Sequence, residues 1–411
     1  MKKIVIAGAS TFGVNNFGDD AMFSNLVDGL RRRIPDCKLT FLARHPNKEF
    51  DNYFGVRSIK NIDHESKKQS LGRRFFGFNP DDPTNHLREI RQEIADCDLM
   101  VLAGNSFMEV SGNDFLRGVA SYAALLATLA KLFEKPFCLY GVACHPLQDD
   151  YTKQIARFLC ENAKIVTVRE DFTKQQLLSA GVNGSNIHVL ADPAFGIEPS
   201  RNRAEALAIL KDENIQLNNQ KVIGVCFRHL YWKWKDDECA KFTAKMARLC
   251  DLMIEGLSAE LLFIPNCTYQ VDTPYEDDKV ISELIRKKMK YAKKTHLIKG
   301  DYNLEQVLSL FQLLEMMVSN RRHSCIFASL YNLPIIALSI ETDWHLRPFM
   351  EALSLSEQVV NFRDTNIDFL QIKIKETWLN KDSIARKLSG VLPNLRKKAQ
   401  QHTDLLAQLL V

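Results

Sequence analysis

The chain predicts two consecutive α/β domains, each built on a parallel sheet. Three observations carry that class. Short apolar runs alternate with amphipathic segments along most of the sequence, and strands separated by helices at this spacing need crossover connections, hence parallel pairing. The runs are apolar throughout rather than alternating, as expected when helices cover both faces of a sheet. The rhythm breaks once, in the polar stretch Gly196 to Gln220 with Pro199, Arg201, Asn218 and Asn219, and then restarts. At 411 residues the chain is long enough for two domains with their own cores.

In the first domain Lys3 to Ala9 is the opening strand. A loop, Ser10 to Phe17, leads to a helix from Asp19 to Arg32, and Lys38 to Ala43 is the next strand. Residues 60 to 95 are polar and show no clear period, and Arg73-Arg74-Phe75-Phe76 reads as a loop. Strand Leu99 to Ala103, helix Leu116 to Leu132, strand Pro136 to Val142, helix Asp150 to Cys160, strand Lys164 to Val168 and helix Asp171 to Ala180 complete the repeat. The second domain opens with strand Val222 to Phe227 and the amphipathic helix Ala240 to Leu257. Strand Glu260 to Pro265, helix Asp277 to Lys290 and strands Leu313 to Val318 and Ile335 to Ile340 follow. Ser383 to Leu410 is a helical tail that Pro393 is expected to interrupt.

Composition narrows the function. With 46% hydrophobic and 25% charged residues the chain reads as a soluble globular protein. A net charge of +4 argues against a dedicated nucleic-acid binder. The ten cysteines form no CxxC pair, and Cys160, Cys250 and Cys325 lie in apolar helical patterns as small core residues. That usage fits a reducing cytoplasm. The apolar start is too short for a signal peptide. The uncharged, helix-like run Gly118 to Ala130 is 13 residues and too short to span a bilayer, so it reads as a core helix.

The segment with most chemistry is Ser319-Asn320-Arg321-Arg322-His323-Ser324, between an apolar strand and a short helix read at Ile326 to Tyr331. Ligands of open α/β sheets bind where strands end and helices begin. A helix N-terminus there offers unpaired N–H groups and partial positive charge. Two arginines and a histidine added to it make an anion site, and a solvated basic turn is the plain alternative. Asn15-Asn16-Phe17-Gly18-Asp19-Asp20-Ala21 opens the first helix. The glycines of this region, Gly8, Gly13 and Gly18, do not form GxGxxG, and the carboxylates of Asp19 and Asp20 serve either as caps or as contacts to a hydroxylic ligand.

Gly104-Asn105-Ser106 is a turn whose N–H groups suit an oxyanion or a sugar hydroxyl. Arg169 ends a strand just before Asp171, so a surface pair is its simpler reading. Arg228-His229 runs into Tyr231-Trp232-Lys233-Trp234-Lys235, where rings beside cations suit sugar faces and anions; a half-buried edge strand is the alternative. Arg286, Lys287, Lys288, Lys290, Lys293 and Lys294 read first as a solvated helix end and second as a patch attracted to an anionic membrane surface.

These segments, in this order, resemble the polysaccharide pyruvyl transferase family. The resemblance rests on Asn16-Phe17-Gly18-Asp19-Asp20-Ala21, the turn at Gly104, Tyr140-Gly141 through Pro146, Val168-Arg169-Glu170 and Ala191-Asp192-Pro193. It also rests on Arg321-x-His323 with Ile326-Phe327-Ala328 and the Pro334 strand. It implies a GT-B-like fold of two Rossmann-like domains facing a cleft. Residues 1–200 would form the acceptor side and 220–380 the donor side, with 381–411 as the helical tail. It implies transfer of the pyruvyl group of phosphoenolpyruvate to two sugar hydroxyls, giving a ketal, without metal or cofactor. The acceptor would be nucleotide- or lipid-linked, and the location cytoplasmic, with weak association at the inner membrane face.

The resemblance places His323 as the general acid and Asp19 as the group that orients or deprotonates the acceptor hydroxyl. A helix N-terminus lowers a histidine pKa and a bound dianion raises it, so His323 is expected to protonate mainly when the donor is bound. Arg169, Arg321, His345, Arg347 and Arg228 are the expected donor contacts. Asn16, Asp20, Asn105, Ser106, Trp232 and Trp234 are the expected acceptor contacts. Three positions depart from the family pattern: His345 stands where a lysine is usual, Ala103-Gly104-Asn105 replaces three glycines, and Gly141 to Pro146 lacks the usual glutamine and glycines. Two other readings compete: a GT-B-type glycosyltransferase using a nucleotide sugar, and a non-catalytic saccharide-binding relative. For the first, no clear acidic ribose clamp is visible in the second half.

Overall fold

The structure is a computed structural model that describes residues 1–8, 15–62, 86–104, 119–218, 221–231, 233–269, 273–340 and 346–410. It comprises two compact units. One is Met1–Val14, Asp19–Ile197 and Arg396–Val411; the other is Asn15–Gly18 and Glu198–Leu395. The terminal segment is thus shared between the units rather than standing as a body of its own.

The first unit holds a seven-stranded parallel sheet. Its strands are β1 (Lys3–Gly8), β2 (Lys38–Ala43), β3 (Arg57–Lys60), β4 (Leu99–Ala103), β5 (Phe137–Val142), β6 (Val166–Val168) and β7 (Ile187–Val189). Their order is β3-β2-β1-β4-β5-β6-β7. Both faces are buried, which explains the unbroken apolar runs. Val5, Ala7, Met100 and Leu102 enter one core, with Leu126 and Ala127 of helix Val119–Leu132. Ile4, Ile6, Leu99 and Val101 enter the other, with Phe23 and Leu26 of helix Phe17–Arg33.

The second unit repeats the plan with six parallel strands. These are β8 (Val222–Cys226), β9 (Glu260–Phe263), β10 (Thr295–Leu297), β11 (Met316–Ser319), β12 (Ile335–Ser339) and β13 (Val359–Asn361). The order is β10-β9-β8-β11-β12-β13. Ile223, Val225, Met316 and Val318 pack against Met246, Leu249 and Met253 of helix Asp236–Leu257. In each sheet the strand order reverses between two neighbours, β1 and β4 or β8 and β11. Ligands of such sheets bind beyond the carboxyl ends at that reversal.

Several elements differ from the sequence reading. The polar stretch between the domains contains a helix, Arg203–Asp212, capped by Asn202. The helix after β11 starts at Arg322, earlier than expected. Helix Lys381–Gln408 passes through Pro393 without a break. Pro393 and Ser389 are both exposed, so water can satisfy the carbonyl that proline cannot serve. The loop expected at Arg73 to Phe76 lies outside the described residues.

The end of this helix is anchored in the first unit by polar contacts. His402 is fully buried; its Nε2 lies 2.8 Å from the Ala191 carbonyl and its Nδ1 2.7 Å from Thr167 Oγ1. A carbonyl only accepts, so Nε2 carries the proton and Nδ1 accepts from the threonine hydroxyl. Thr167 in turn accepts from the Gly141 N–H at 2.9 Å. Burial holds this imidazole neutral and depresses its pKa to about 4. All ten cysteines are free thiols, and Cys160, Cys250 and Cys325 are core residues.

Candidate functional site

The reversal between β8 and β11 brings together several of the sequence-marked residues. Arg228 follows β8, and Asn320, Arg321 and His323 follow β11. The Arg228 N–H donates to Asn320 Oδ1 at 2.8 Å, and Asn320 Nδ2 donates back to the Arg228 carbonyl at 3.4 Å. The two strand ends are therefore tied side chain to backbone. The Ser319 hydroxyl donates to the Cys226 carbonyl at 2.7 Å and accepts the Arg321 N–H at 2.9 Å. Arg321 is the N-cap residue of helix Arg322–Leu330, with extended backbone, and His323 stands in the first turn.

The Arg321 side chain is held by a residue that the sequence reading did not single out. Asp278 begins helix Asp278–Lys288, and its side chain is 1% exposed. Arg321 Nε donates to both carboxylate oxygens at 3.1 Å, and Nη2 donates to Oδ1. Asp278 Oδ2 also accepts the N–H groups of Asn266 and Cys267, each at 3.0 Å. Burial works against the charged guanidinium, but Asp278 outweighs it, so the pKa of Arg321 rises. Arg228 is exposed. Crowding by protein atoms and then the like charge of Arg321 lower it to about 10, which still leaves a cation at neutral pH.

A fourth segment reaches the same place from the start of the chain. Asn16 forms an antiparallel bridge with Cys267. The Phe17 N–H donates to the Asn266 carbonyl, and the Thr268 N–H to the Asn15 carbonyl, each at 3.0 Å. Gly18 then lies flat against His323: a Cβ there would stand 2.0 Å from Nδ1. No side chain fits between them, which is a physical reason for glycine at this position. The Asn-Phe-Gly motif and the Arg-x-His motif, some 300 residues apart in sequence, thus form one wall. Burial pushes the nearby Cys325 thiol up to about 12, so it is not an available nucleophile.

Aromatic groups stand beside Arg228. His229 stacks on Tyr275 with ring centroids 4.2 Å apart, and the Tyr231 N–H donates to His229 Nδ1 at 3.1 Å. Trp234 is different. It packs edge-on against Phe242, with the Arg363 guanidinium over its ring, as a half-buried member of the second unit's core. That is a packing role rather than an exposed acceptor contact.

Arg169 also departs from expectation. Instead of lying open at a strand end it is sealed, with a side-chain exposure of 2%, and Nη1 sits 3.0 Å from Asp192 Oδ2, itself at 0%. A guanidinium enclosed with its counter-ion is not placed to receive a dissolved anion. Arg169, Asp192, Gly141 and His402 form the polar core of the first unit. Asp19 and the buried Asp20 occupy the first turn of helix Phe17–Arg33, where negative charge complements the macrodipole. Arg347 is exposed at the start of the short helix Arg347–Ala352. Asn105, Ser106, Trp232 and His345 lie outside the described residues.

The basic helix end is partly structural: Arg286 Nε donates to Thr295 Oγ1 at 2.9 Å and Nη2 to the Thr295 carbonyl at 3.2 Å. Among the described residues no cluster of three or more His, Cys, Asp or Glu side chains is arranged to hold a metal. No helix among them is long and apolar enough to cross a membrane.

The fold agrees with comparison to known proteins. The family model "Polysaccharide pyruvyl transferase" matches residues 16–342, so the chain belongs to the polysaccharide pyruvyl transferase family, whose members are transferases of polysaccharide biosynthesis. A curated relative is the amylovoran biosynthesis protein AmsJ of Erwinia amylovora, 22% identical over 97% of this chain and 94% of its own. Among solved structures, UDP-GlcNAc 2-epimerase from Methanocaldococcus jannaschii superposes with a TM-score of 0.63 at 14% identity, covering 99% of this chain and 100% of that one. Anabaena HepE in complex with UDP gives 0.59 at 12%, covering 100% and 99%. These likenesses establish the GT-B-like fold class and nothing about substrate.

Proposed function

We propose that this chain transfers the pyruvyl group of phosphoenolpyruvate to two hydroxyls of a sugar in a polysaccharide precursor, forming a cyclic ketal and releasing phosphate. The observation that carries the proposal is the meeting of Asn16-Phe17-Gly18 with Arg321-x-His323 at the β8–β11 reversal, next to the exposed cation Arg228. A donor bearing both a phosphate and a carboxylate needs several fixed cations, and Arg228 and Arg321 provide two at adjoining strand ends.

In the reaction the methylene carbon of the donor takes a proton and becomes a methyl group. One sugar hydroxyl adds to the neighbouring carbon and loses its proton. The second hydroxyl then displaces phosphate at the same carbon, and its proton leaves with the phosphate. Atoms balance without an oxidant or reductant. His323 is assigned to deliver the first proton; its ring is backed by Gly18, which fixes it without covering it with a side chain. Asp19, next in the chain after Gly18, is assigned to the acceptor hydroxyl, with Asn16, Asp20, Asn105 and Ser106 as further acceptor contacts and Arg347 and His345 as further donor contacts.

The test is incubation of the purified protein with phosphoenolpyruvate and a panel of nucleotide-linked sugars, following phosphate release and the ketal in the product. Coupled appearance of both, lost in His323→Ala and His323→Gln, is the expected result. Full activity in both variants would remove His323 from its role, and sugar transfer from a nucleotide sugar without phosphoenolpyruvate would replace the proposal with a glycosyltransferase.

A further inference from the structure

Asp278 lies at the junction of the wall just described, though it belongs to none of the segments on which the sequence resemblance rests. Its carboxylate accepts from four sources: the Arg321 fork, the N–H of Asn266, the N–H of Cys267 and the Cys226 thiol, whose Sγ lies 3.8 Å from Oδ2. The backbone N–H of Asp278 returns a hydrogen bond to the Cys267 carbonyl at 2.8 Å. Asn266 and Cys267 are the residues to which the Asn16–Phe17 segment is stitched, and Asn266 Oδ1 also accepts from the Ser324 hydroxyl at 3.3 Å, one residue beyond His323. One buried carboxylate therefore joins three segments that are remote in sequence, and each carries or touches a residue assigned to the reaction.

The fork is also one-sided. Asp278 takes Nε and Nη2 of Arg321. Nη1 makes no hydrogen bond among the described residues, and the Arg321 side chain keeps 13% of its surface exposed while that of Asp278 keeps 1%. A guanidinium has five donors in a rigid plane. Fixing one edge on a carboxylate sets the direction of the other, and the ordering cost of a long side chain is met before a ligand arrives.

We infer that Asp278 is a positioning residue: it clamps one edge of Arg321 so that the Nη1 edge is preset for an anionic group of the donor, and through Asn266 and Cys267 it fixes the segment that backs His323. The inference rests on the pyruvyl-transfer reading and deepens it. It distinguishes an arginine clamped for catalysis from one paired only for stability.

The experiment compares wild type, Asp278→Asn, Arg321→Lys and Asp278→Asn/Arg321→Lys in full-length protein, with steady-state kinetics on phosphoenolpyruvate corrected for the folded fraction by thermal melting. Asp278→Asn retains the size of the side chain but not its second strong acceptor. Arg321→Lys retains the charge but cannot fork. Each single variant is expected to lose about 100-fold in kcat/KM for phosphoenolpyruvate, with the double variant no worse than the poorer single, because both break one unit. The Arg321 Nε–H proton resonance is expected to exchange slowly in wild type and to broaden in Asp278→Asn. Wild-type kinetics per folded molecule in Asp278→Asn, or losses that simply multiply in the double variant, would overturn the inference while leaving pyruvyl transfer intact. A wild-type protein that neither binds nor turns over phosphoenolpyruvate would overturn the underlying reading, and this inference with it.

Discussion

Arg169 follows β6 in the first unit and pairs with Asp192; Arg321 follows β11 in the second and pairs with Asp278. Both arginines end a parallel strand, both belong to segments on which the sequence resemblance rests, and both have an aspartate partner. They differ in enclosure. The first pair is sealed, with exposures of 2% and 0%; in the second, the arginine keeps 13%. The sealed pair is surrounded by Met22, His402 and the Thr167 network. The second pair adjoins the exposed Arg228 and the histidine backed by Gly18. The same residue types at the same kind of strand end therefore hold a core in one unit and outline a candidate anion site in the other. Burial of the counter-ion alone does not separate the two; access to the arginine does.

Substitutions can break this comparison from either side. The largest effect is expected at the open site: His323→Ala should lower kcat by about 10²–10⁴-fold while the melting temperature stays close to wild type. A comparable effect of opposite kind is expected at the sealed pair. Asp192→Ala leaves an uncompensated buried guanidinium and should cost about 3–5 kcal/mol of stability, with turnover per folded molecule unchanged in denaturant-titrated samples. A loss of turnover at full stability there would make the two pairs functional equals.

The next effect concerns pH. His402 is buried neutral with its pKa depressed to about 4, so the unfolded chain binds a proton that the folded chain refuses. Its contribution is complete above the ordinary histidine pKa of about 6.5 and is lost as pH falls from there toward 4, up to about 3 kcal/mol. Urea titrations between pH 7 and 4 should show that slope, and His402→Gln should flatten it.

Gly18→Ala comes below this. The added carbon meets the His323 ring, and overpacking of this kind costs about 1–3 kcal/mol. It should also reduce kcat, because the imidazole is what must move. Retained kcat would mean that the orientation of His323 is set elsewhere. The smallest effect is expected at Lys287 and Lys288, exposed on the basic helix end: alanine at either should stay within about 0.5 kcal/mol and leave turnover alone.

Much of the fold was legible because its signal is local. Continuous apolar runs gave the strands β1, β2, β4, β5, β8, β9, β11 and β12, and amphipathic spacing gave the helices between them. What escaped was short or polar. The strands Arg57–Lys60, Ile187–Val189, Thr295–Leu297 and Val359–Asn361 lie in the outer parts of the sheets, and none of them contains three apolar residues in a row, so no continuous run marks them. Helix Arg203–Asp212 was hidden by exposed charge on a linker-like stretch.

The candidate site was half legible. Arg321, His323 and Arg228 stand out because cations at strand ends are chemically conspicuous. Asp278 does not: in sequence it is one more acidic residue opening a helix, and its role appears only when Arg321, 43 positions later, folds onto it. Arg169 misleads for the converse reason. Its nearest acidic neighbours in sequence suggest a surface pair, while its partner Asp192 arrives from 23 residues away and encloses it.

The most direct test of the account is thermal-shift binding of phosphoenolpyruvate to wild type and Arg321→Ala, beside a panel of UDP- and GDP-sugars, each shift measured from that variant's own unliganded transition. At a hundredfold excess over the dissociation constant a specific ligand adds about 2.7 kcal/mol, well within reach of the method. The account requires stabilisation of wild type by phosphoenolpyruvate that is absent in Arg321→Ala. Equal stabilisation of both proteins, or a response to nucleotide sugars with none to phosphoenolpyruvate in their presence or absence, would contradict it.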